Sequence, residues 1–292
     1  MQPLKNIAIC GTQTPLGKRL RDALIAQGVK VLAIRESDLK IPAPSLAEKL
    51  AGVDGIVNLH GEPYVAKWRG RYEFDIYCSR LLAIRSIGNA IRFMETKPNF
   101  FLTISNAMIY DTYEVHDEYS NEYGDSFMAE VGQMETTEAL KIKRHSENVR
   151  LLIARTGYIM SRTAGAYPLW AAVSRIGWGG RINEGYQCIP MILEADAVRA
   201  IIFLAQNQAT EGIYNLTIPE MASMNEMVNA FAKALDKNQH RLPNFIIRLM
   251  AGRAYHLLEQ NCKVLPRRLT MAGFSFDAPN VDSIITTLQK ER

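Results

Sequence analysis

Gly11, Thr14 and Gly17 stand three residues apart between an apolar run, "NIAI" at 6–9, and a segment patterned as a helix. In a strand-to-helix turn that holds a dinucleotide, the first glycine permits a tight bend. The second lets the backbone approach the pyrophosphate, and the third allows close helix–strand packing. Here the second is Thr14, whose Cβ crowds that approach, and Pro15 removes an N–H from the helix start where an anion would sit. Thr14 and Pro15 are at the same time a favoured N-cap and first helical residue. The turn therefore reads as a sound helix start with a weakened anion site, at which the Thr14 hydroxyl offers one replacement donor. The same residues equally suit a strand–turn–helix that binds nothing. Arg35 follows the next apolar run, "KVLAI", where a carboxylate would hold ribose hydroxyls and an arginine a ribose phosphate. It favours NADP(H) over NAD, or else is a solvated loop arginine beside Glu36.

These residues need elements to carry them. Short β-rich runs, "NIAIC", "KVLAI", "GIVNLH", "NFFLTIS" and "RLLIART", alternate with helical stretches at 16–27, 45–50, 74–94 and 126–141. The runs are apolar on both faces, as in a parallel sheet covered by helices on both sides, so the expected class is a doubly wound α/β fold. After Gly157 the pattern loosens into Gly-, Tyr- and Pro-containing loops, and from Ser223 onward it is mostly helical. One helical stretch there, "FIIRLMAGRAYHLL", carries Arg248 and Arg253 and reads as a helix packed on its own domain in preference to a membrane-surface helix.

Composition narrows the partners. The 34 basic and 30 acidic residues of the 292 are scattered, with no basic run or aromatic–basic repeat of the kind nucleic-acid grooves use. A small-molecule ligand, with no nucleic acid and no membrane, is the expectation. The four cysteines, Cys10, Cys78, Cys188 and Cys262, lack metal-ligand spacing and read as free thiols in a reducing compartment, with no metal site. No apolar run reaches the ~18 residues of a bilayer span, and no signal-peptide pattern opens the chain, so a cytoplasmic location is expected. No G-x-S-x-G elbow supports a hydrolase.

The 11–17 turn, Arg35, "NLHGEP" at 58–63, "SR" at 79–80, "ISNAMIY" at 104–110, "RTG" at 155–157 and "VLPRRLTMAGFSF" at 264–276 occur in an order that resembles an atypical branch of the extended short-chain dehydrogenase/reductase superfamily. Its members are labelled NAD-dependent epimerase/dehydratase family proteins or nucleoside-diphosphate-sugar epimerases, and they carry a small helical C-terminal domain of unknown function. The resemblance covers essentially the whole chain. It implies a Rossmann-type domain over 1–220, with substrate-side loops at about 158–195, and a small helical domain over 221–292 roofing a substrate cleft. It implies NADP(H) at the strand ends, against Gly11, Thr14, Leu16 and Gly17 of the turn and Arg35 beyond it. Leu59, Gly61 and Glu62 of the "NLHGEP" loop complete the expected cofactor contacts.

Extended members of that superfamily pair a Tyr with a Lys four residues later on one helix, so that the ammonium lowers the phenol pKa, and add a Ser or Thr from a neighbouring strand. In alignment these positions fall at Phe127, Val131 and Asn106. Phe has no proton to give and Val no charge, which forfeits a step typically worth ~10²–10⁴ in rate. Asn106 can still donate a hydrogen bond, and Glu62 and Tyr110 are the substitute catalytic candidates. Tyr123 and His60 lie nearby, and each of these side chains also has a purely structural reading. Three further positions depart from the branch: Thr14 for Gly, His60 for Ala, and "MIL" at Met191–Leu193 for a W-I-H triplet. Two functions follow. One is an NADP(H)-binding oxidoreductase or epimerase-like protein acting on a small carbonyl or sugar-nucleotide substrate. The other is a non-catalytic nucleotide fold, without cofactor, serving as a ligand sensor or protein-interaction module.

Overall fold

The computed structural model describes residues 2–179, 182–240, 243–252 and 255–290. The first half runs β1 (Asn6–Cys10), α1 (Pro15–Ala26), β2 (Lys30–Ile34), α2 (Ala43–Lys49), β3 (Gly55–Asn58), α3 (Tyr72–Phe93), β4 (Phe100–Asn106), β5 (Val115–His116) and α4 (Phe127–His145). It continues through β6 (Arg150–Thr156), β7 (Tyr158–Met160), α5 (Tyr167–Arg175), β8 (Met191–Leu193), α6 (Glu194–Gln206) and β9 (Gly212–Leu216). The rest is α7 (Met224–Leu235), α8 (Asn244–Ala251), α9 (Tyr255–Glu259), β10 (Lys263–Val264), α10 (Arg267–Met271) and α11 (Val281–Lys290).

Six strands form one parallel sheet in the order β2-β1-β3-β4-β6-β9. All seven residues of β6 and six of the seven of β4 are buried, which is what the continuous apolar runs require of strands covered on both faces. On one face Leu16, Leu20 and Leu24 of α1 pack with Ala197 and Ile201 of α6. On the other, Leu46 of α2, Ile84 and Ile87 of α3 and Ala139 of α4 share a second core. The chain leaves β1 to pair β2 on one side and returns to pair β3 on the other. Such a reversal opens a crevice at the carboxyl ends of the strands.

The segment read as loops over about 158–195 contains β7 and β8, which pair in parallel, and α5. Their runs are three residues long, too short for periodicity to register. Met191–Leu193, the "MIL" departure, is the wholly buried strand β8. The single helix expected from "FIIRLMAGRAYHLL" is broken, because Gly252 takes φ 60° after α8 and ends it. Arg253 lies outside the described residues, as do Gly180 and Arg181 of the 177–190 loop. Residues of α7 and α11 share one apolar core with Tyr158, Trp170 and Met191 of the preceding part, so the helical C-terminal stretch is welded to the 158–195 region. No helix of the described residues is long and apolar enough to cross a membrane.

Candidate functional site

The turn between β1 and α1 is built around one hydroxyl. Thr14 Oγ1 donates to the Gly11 carbonyl at 2.8 Å and accepts from the Gly17 N–H at 3.0 Å, while φ −68° and ψ 154° make Thr14 the N-cap. Its one proton is thus engaged inside the turn, and the expectation that it replaces a pyrophosphate donor is corrected. Pro15 has no N–H and the Lys18 N–H bonds the Thr14 carbonyl, so the Leu16 N–H is the donor the first turn keeps. Gly11 adopts φ +89°, and a Cβ there would lie 2.8 Å from the carbonyl carbon and oxygen of Leu59. At Gly17 a Cβ would overlap the Gly11 carbonyl oxygen. Both end glycines of the turn are sterically required.

The turn opens into a cavity of about 350 Å³ at the carboxyl ends of the strands. Thr14, Pro15 and Leu16 form one edge; Leu59, Gly61 and Tyr64 follow β3; Ile104 and Ser105 come from β4, and Thr156–Ile159 from β6 and β7. Glu194, buried, closes another side and is held by Arg19 at 2.8 Å and Ser161 Oγ at 2.9 Å. The described lining residues all lie between Thr14 and Glu194, so the C-terminal part does not roof this cavity as expected. That part is anchored elsewhere: Arg268 Nη1 and Nη2 donate to the carbonyls of Ile213 and Glu211 beside β9 at 2.9 and 2.6 Å. Glu118 accepts from the backbone N–H groups of Arg268 and Asn215, tying the "LPRR" stretch to the sheet.

Arg35 is exposed just past β2, outside the cavity wall, with its backbone N–H on Asp38 Oδ2 at 2.7 Å. Glu36 and Asp38 pair with Lys40 and Lys49, and the Arg35 guanidinium acts on Asp38 only as a weaker longer-range charge. His60 is half-buried; burial pushes its pKa down, against the pull of Glu36.

Helix α4 carries hydrocarbon where a Tyr–Lys pair would stand. Phe127, its first residue, packs edge-on against Trp68 with ring centroids 5.6 Å apart, and Val131 is fully buried. Asn106 ends β4, and its Nδ2 donates to the Met128 carbonyl at 3.1 Å. Gly132 allows this approach, since a Cβ there would sit 3.1 Å from Asn106 Nδ2. One turn further along α4, buried Glu135 pairs with Arg80 Nη1 at 3.1 Å, and Arg80 Nη2 donates to the Glu62 carbonyl at 3.0 Å. The Arg80 guanidinium lies under the Tyr64 ring, 3.9 Å from its centroid, and a Cβ at Gly61 would meet the Arg80 side chain at 2.7 Å. Burial raises the Glu135 pKa, with Arg80 opposing, and raises the Tyr64 phenol above its ordinary value, again with Arg80 opposing.

Of the residues singled out from sequence, Thr14, Leu16, Leu59 and Gly61 line the cavity, with Gly11 and Gly17 shaping the turn behind it. Asn106 lies buried at the end of β4. Glu62 is exposed and its carboxylate bears on the Tyr72 hydroxyl, not on the cavity. Tyr110 is buried away from the cavity; its hydroxyl accepts from Arg155 Nη1 at 2.8 Å and donates to Asn215 Oδ1 at 3.1 Å. Tyr123 reaches the same guanidinium at 3.4 Å, so the "RTG" arginine is clasped by two phenols. The Tyr64, Arg80 and Glu135 cluster is absent from the sequence reading. Its partners are 55 residues apart on two helices, a separation no local pattern reports. Among the described residues, no His, Cys, Asp and Glu side chains are grouped to hold a metal ion.

Residues 242–288 match the model of a domain of unknown function, DUF1731. The chain is similar over 306 residues to the epimerase family protein YfhF of Bacillus subtilis, 25% identical, covering 98% of this chain and 99% of that protein. Epimerase family protein SSP1921 of Staphylococcus saprophyticus is 23% identical over 95% of this chain and 97% of its own length. Among solved structures, the human epimerase family protein SDR39U1 (isoform 2) with NADPH superposes with a TM-score of 0.87 at 23% identity, covering 98% of this chain and 100% of that one. A nucleoside-diphosphate sugar epimerase from Corynebacterium glutamicum gives 0.80 at 21% identity, over 100% of this chain and 59% of that one.

Proposed function

We propose that this chain, an atypical epimerase-family protein of the short-chain dehydrogenase/reductase fold, binds NADP(H) in the crevice above β1, β3 and β4 and acts as an oxidoreductase or epimerase-like protein on a small carbonyl or sugar-nucleotide substrate. The observation that carries the reading is the turn: Gly11 and Gly17 admit no Cβ, and the cavity opens at the strand reversal beside them. The residues present fit a dinucleotide. The Leu16 N–H at the helix start is a donor for a phosphate, Leu59 and Gly61 offer a flat apolar wall, and Arg35 is free of carboxylate pairing for a ribose phosphate. When bound, a nicotinamide supplies or accepts a hydride. The chain's own contribution is a largely apolar pocket lined near the β4 end by Ser105 and Thr156, with Tyr64 and Arg80 on the wall beside them.

Phe127 and Val131 favour the second reading, a ligand sensor without chemistry. Fluorescence titration separates cofactor binding from its absence. The expected outcome is that NADPH binds in the micromolar range and more tightly than NADH, and that Arg35→Ala weakens NADPH about tenfold, the equivalent of ~1.4 kcal/mol, with NADH unaffected. Absence of binding at millimolar NADPH would overturn the cofactor reading.

A further inference from the structure

Two cysteines far apart in sequence meet where the loop before β8 touches the chain leading into β10. The Cys262 N–H donates to the Cys188 carbonyl at 3.0 Å, and the Cys188 N–H donates to Asn261 Oδ1 at 2.9 Å. A direct N–H···O=C bond between two residues sets their Cα atoms about 5–6 Å apart, inside the ~4.4–6.8 Å that a disulfide spans. Both are free thiols, and the charge of an ionised Cys188 bears on the Cys262 thiol, so the sulfurs are neighbours. Cys188 is half-buried and Cys262 is 2% exposed. Burial raises both thiols, Cys262 to about 12; at Cys188 the Lys263 ammonium opposes the rise and the Glu226 carboxylate adds to it. Cys188 is therefore the sulfur that solvent reaches and that ionises first. The other two thiols stand apart: Cys10 ends β1 in the core under α2 and α3, and Cys78 lies on α3.

We propose that Cys188 and Cys262 form a reversible disulfide, with a small-molecule disulfide as oxidant, that fastens the loop before β8 to the chain leading into β10. The Cys188 thiolate attacks one sulfur of the small disulfide; a mixed disulfide forms as the old S–S bond breaks, and the first small thiolate leaves. Cys262 then gives up its proton and attacks the Cys188 sulfur, forming the protein disulfide and expelling the second small thiolate. The two protein thiols lose two electrons, the small disulfide gains them, and the two protons end on the departing thiols. The bridge joins the two segments that hold one wall of the cavity. Tyr158, which lines it, donates its N–H to the Pro190 carbonyl at 2.8 Å and its hydroxyl to the Leu257 carbonyl at 3.2 Å, one anchor on either side of the cysteine pair. The inference stands independently of the cofactor reading.

The probe is glutathione disulfide. The full chain is incubated with an excess of it at pH 7 and at pH 8, quenched in acid, and read by intact mass and by tryptic peptides kept unreduced. In wild type the Cys188 and Cys262 peptides, 182–199 and 254–263, are expected joined to each other and free of glutathione, and to separate again under dithiothreitol. The joining is expected to run about tenfold faster at pH 8 than at pH 7, as the Cys188 thiolate fraction rises. Cys262→Ala removes the buried thiol without burying a hydroxyl, and is expected to stop at one glutathione on Cys188. Cys188→Ser is expected to leave Cys262 unmodified, because no accessible sulfur remains to receive the oxidant. Both thiols still free in wild type at excess glutathione disulfide would overturn the proposal. Glutathione retained on wild-type Cys188, or a bridge from either residue to Cys10 or Cys78, would overturn it as well. So would a pair that closes only in urea, since the folded joint would then have no part in bringing the sulfurs together.

Discussion

At Thr14 a threonine takes the place of the glycine that would open the phosphate approach, and the replacement stabilises the turn by its two hydroxyl bonds. Removing the hydroxyl while keeping the Cβ, as in Thr14→Ala, is expected to cost about 1 kcal/mol in urea denaturation. Thr14→Gly loses only a few tenths of that and clears the Cβ from the pyrophosphate side, so NADPH binding tightens. Unchanged affinity in Thr14→Gly would mean the loop has already moved around the side chain. The N-cap and the following proline were legible in the sequence, because capping is a local interaction over three residues. The engagement of the hydroxyl proton by the Gly11 carbonyl was not, since a hydroxyl can donate in either direction and only the folded turn fixes which.

Among the elements, α1 and α4 show what close approach demands. A Cβ at position 17 meets the Gly11 carbonyl, a backbone atom that cannot step aside, so Gly17→Ala is expected to destabilise by ~1–3 kcal/mol and to weaken NADPH binding, both lost together as α1 is pushed from β1. Helices α3 and α4 are clipped by a bidentate pair, Arg85 Nε and Nη2 on the Glu138 carboxylate at 3.1 and 2.8 Å, with Lys141 at 2.7 Å. These cations hold the Glu138 carboxyl down to about 2. A folded-state pKa below the unfolded one stabilises above the unfolded value and is lost as pH falls through the folded value. Glu138→Gln is therefore expected to lose about 1 kcal/mol at neutral pH, the upper end for a pair whose arginine is exposed, and to converge with wild type as pH drops toward 2. A constant difference across that range would exclude the ion pair as its source. The strands and major helices were readable from two-sided apolar runs and helical spacing. Strands β7 and β8 and the break at Gly252 were not, because three-residue strands carry no period and a left-handed glycine is silent until the chain bends.

Across the whole molecule, the expectation that the C-terminal helices roof the cleft gives way to a different division of labour. The "LPRR" stretch, one of the segments that carry the resemblance, is a structural anchor at β9, where Arg268 and Glu118 close backbone hydrogen bonds. The cavity is walled by the loops after β1, β3, β4 and β6, and behind Tyr64 and Arg80 of its wall lie buried Asn106 and Glu135, a cluster drawn from four separate segments. Such a cluster depends on the sheet order, which brings β3 beside β4, and so is invisible to any reading along the chain. The central claim is that the crevice holds NADP(H) despite Thr14 and Pro15. It is tested most directly by a crystal structure grown with NADPH. The account predicts density for the pyrophosphate at the Leu16 N–H, the ribose phosphate at Arg35 and the nicotinamide ring in the cavity beside Tyr64. A crevice empty at saturating NADPH, or a nucleotide bound elsewhere on the surface, would contradict it.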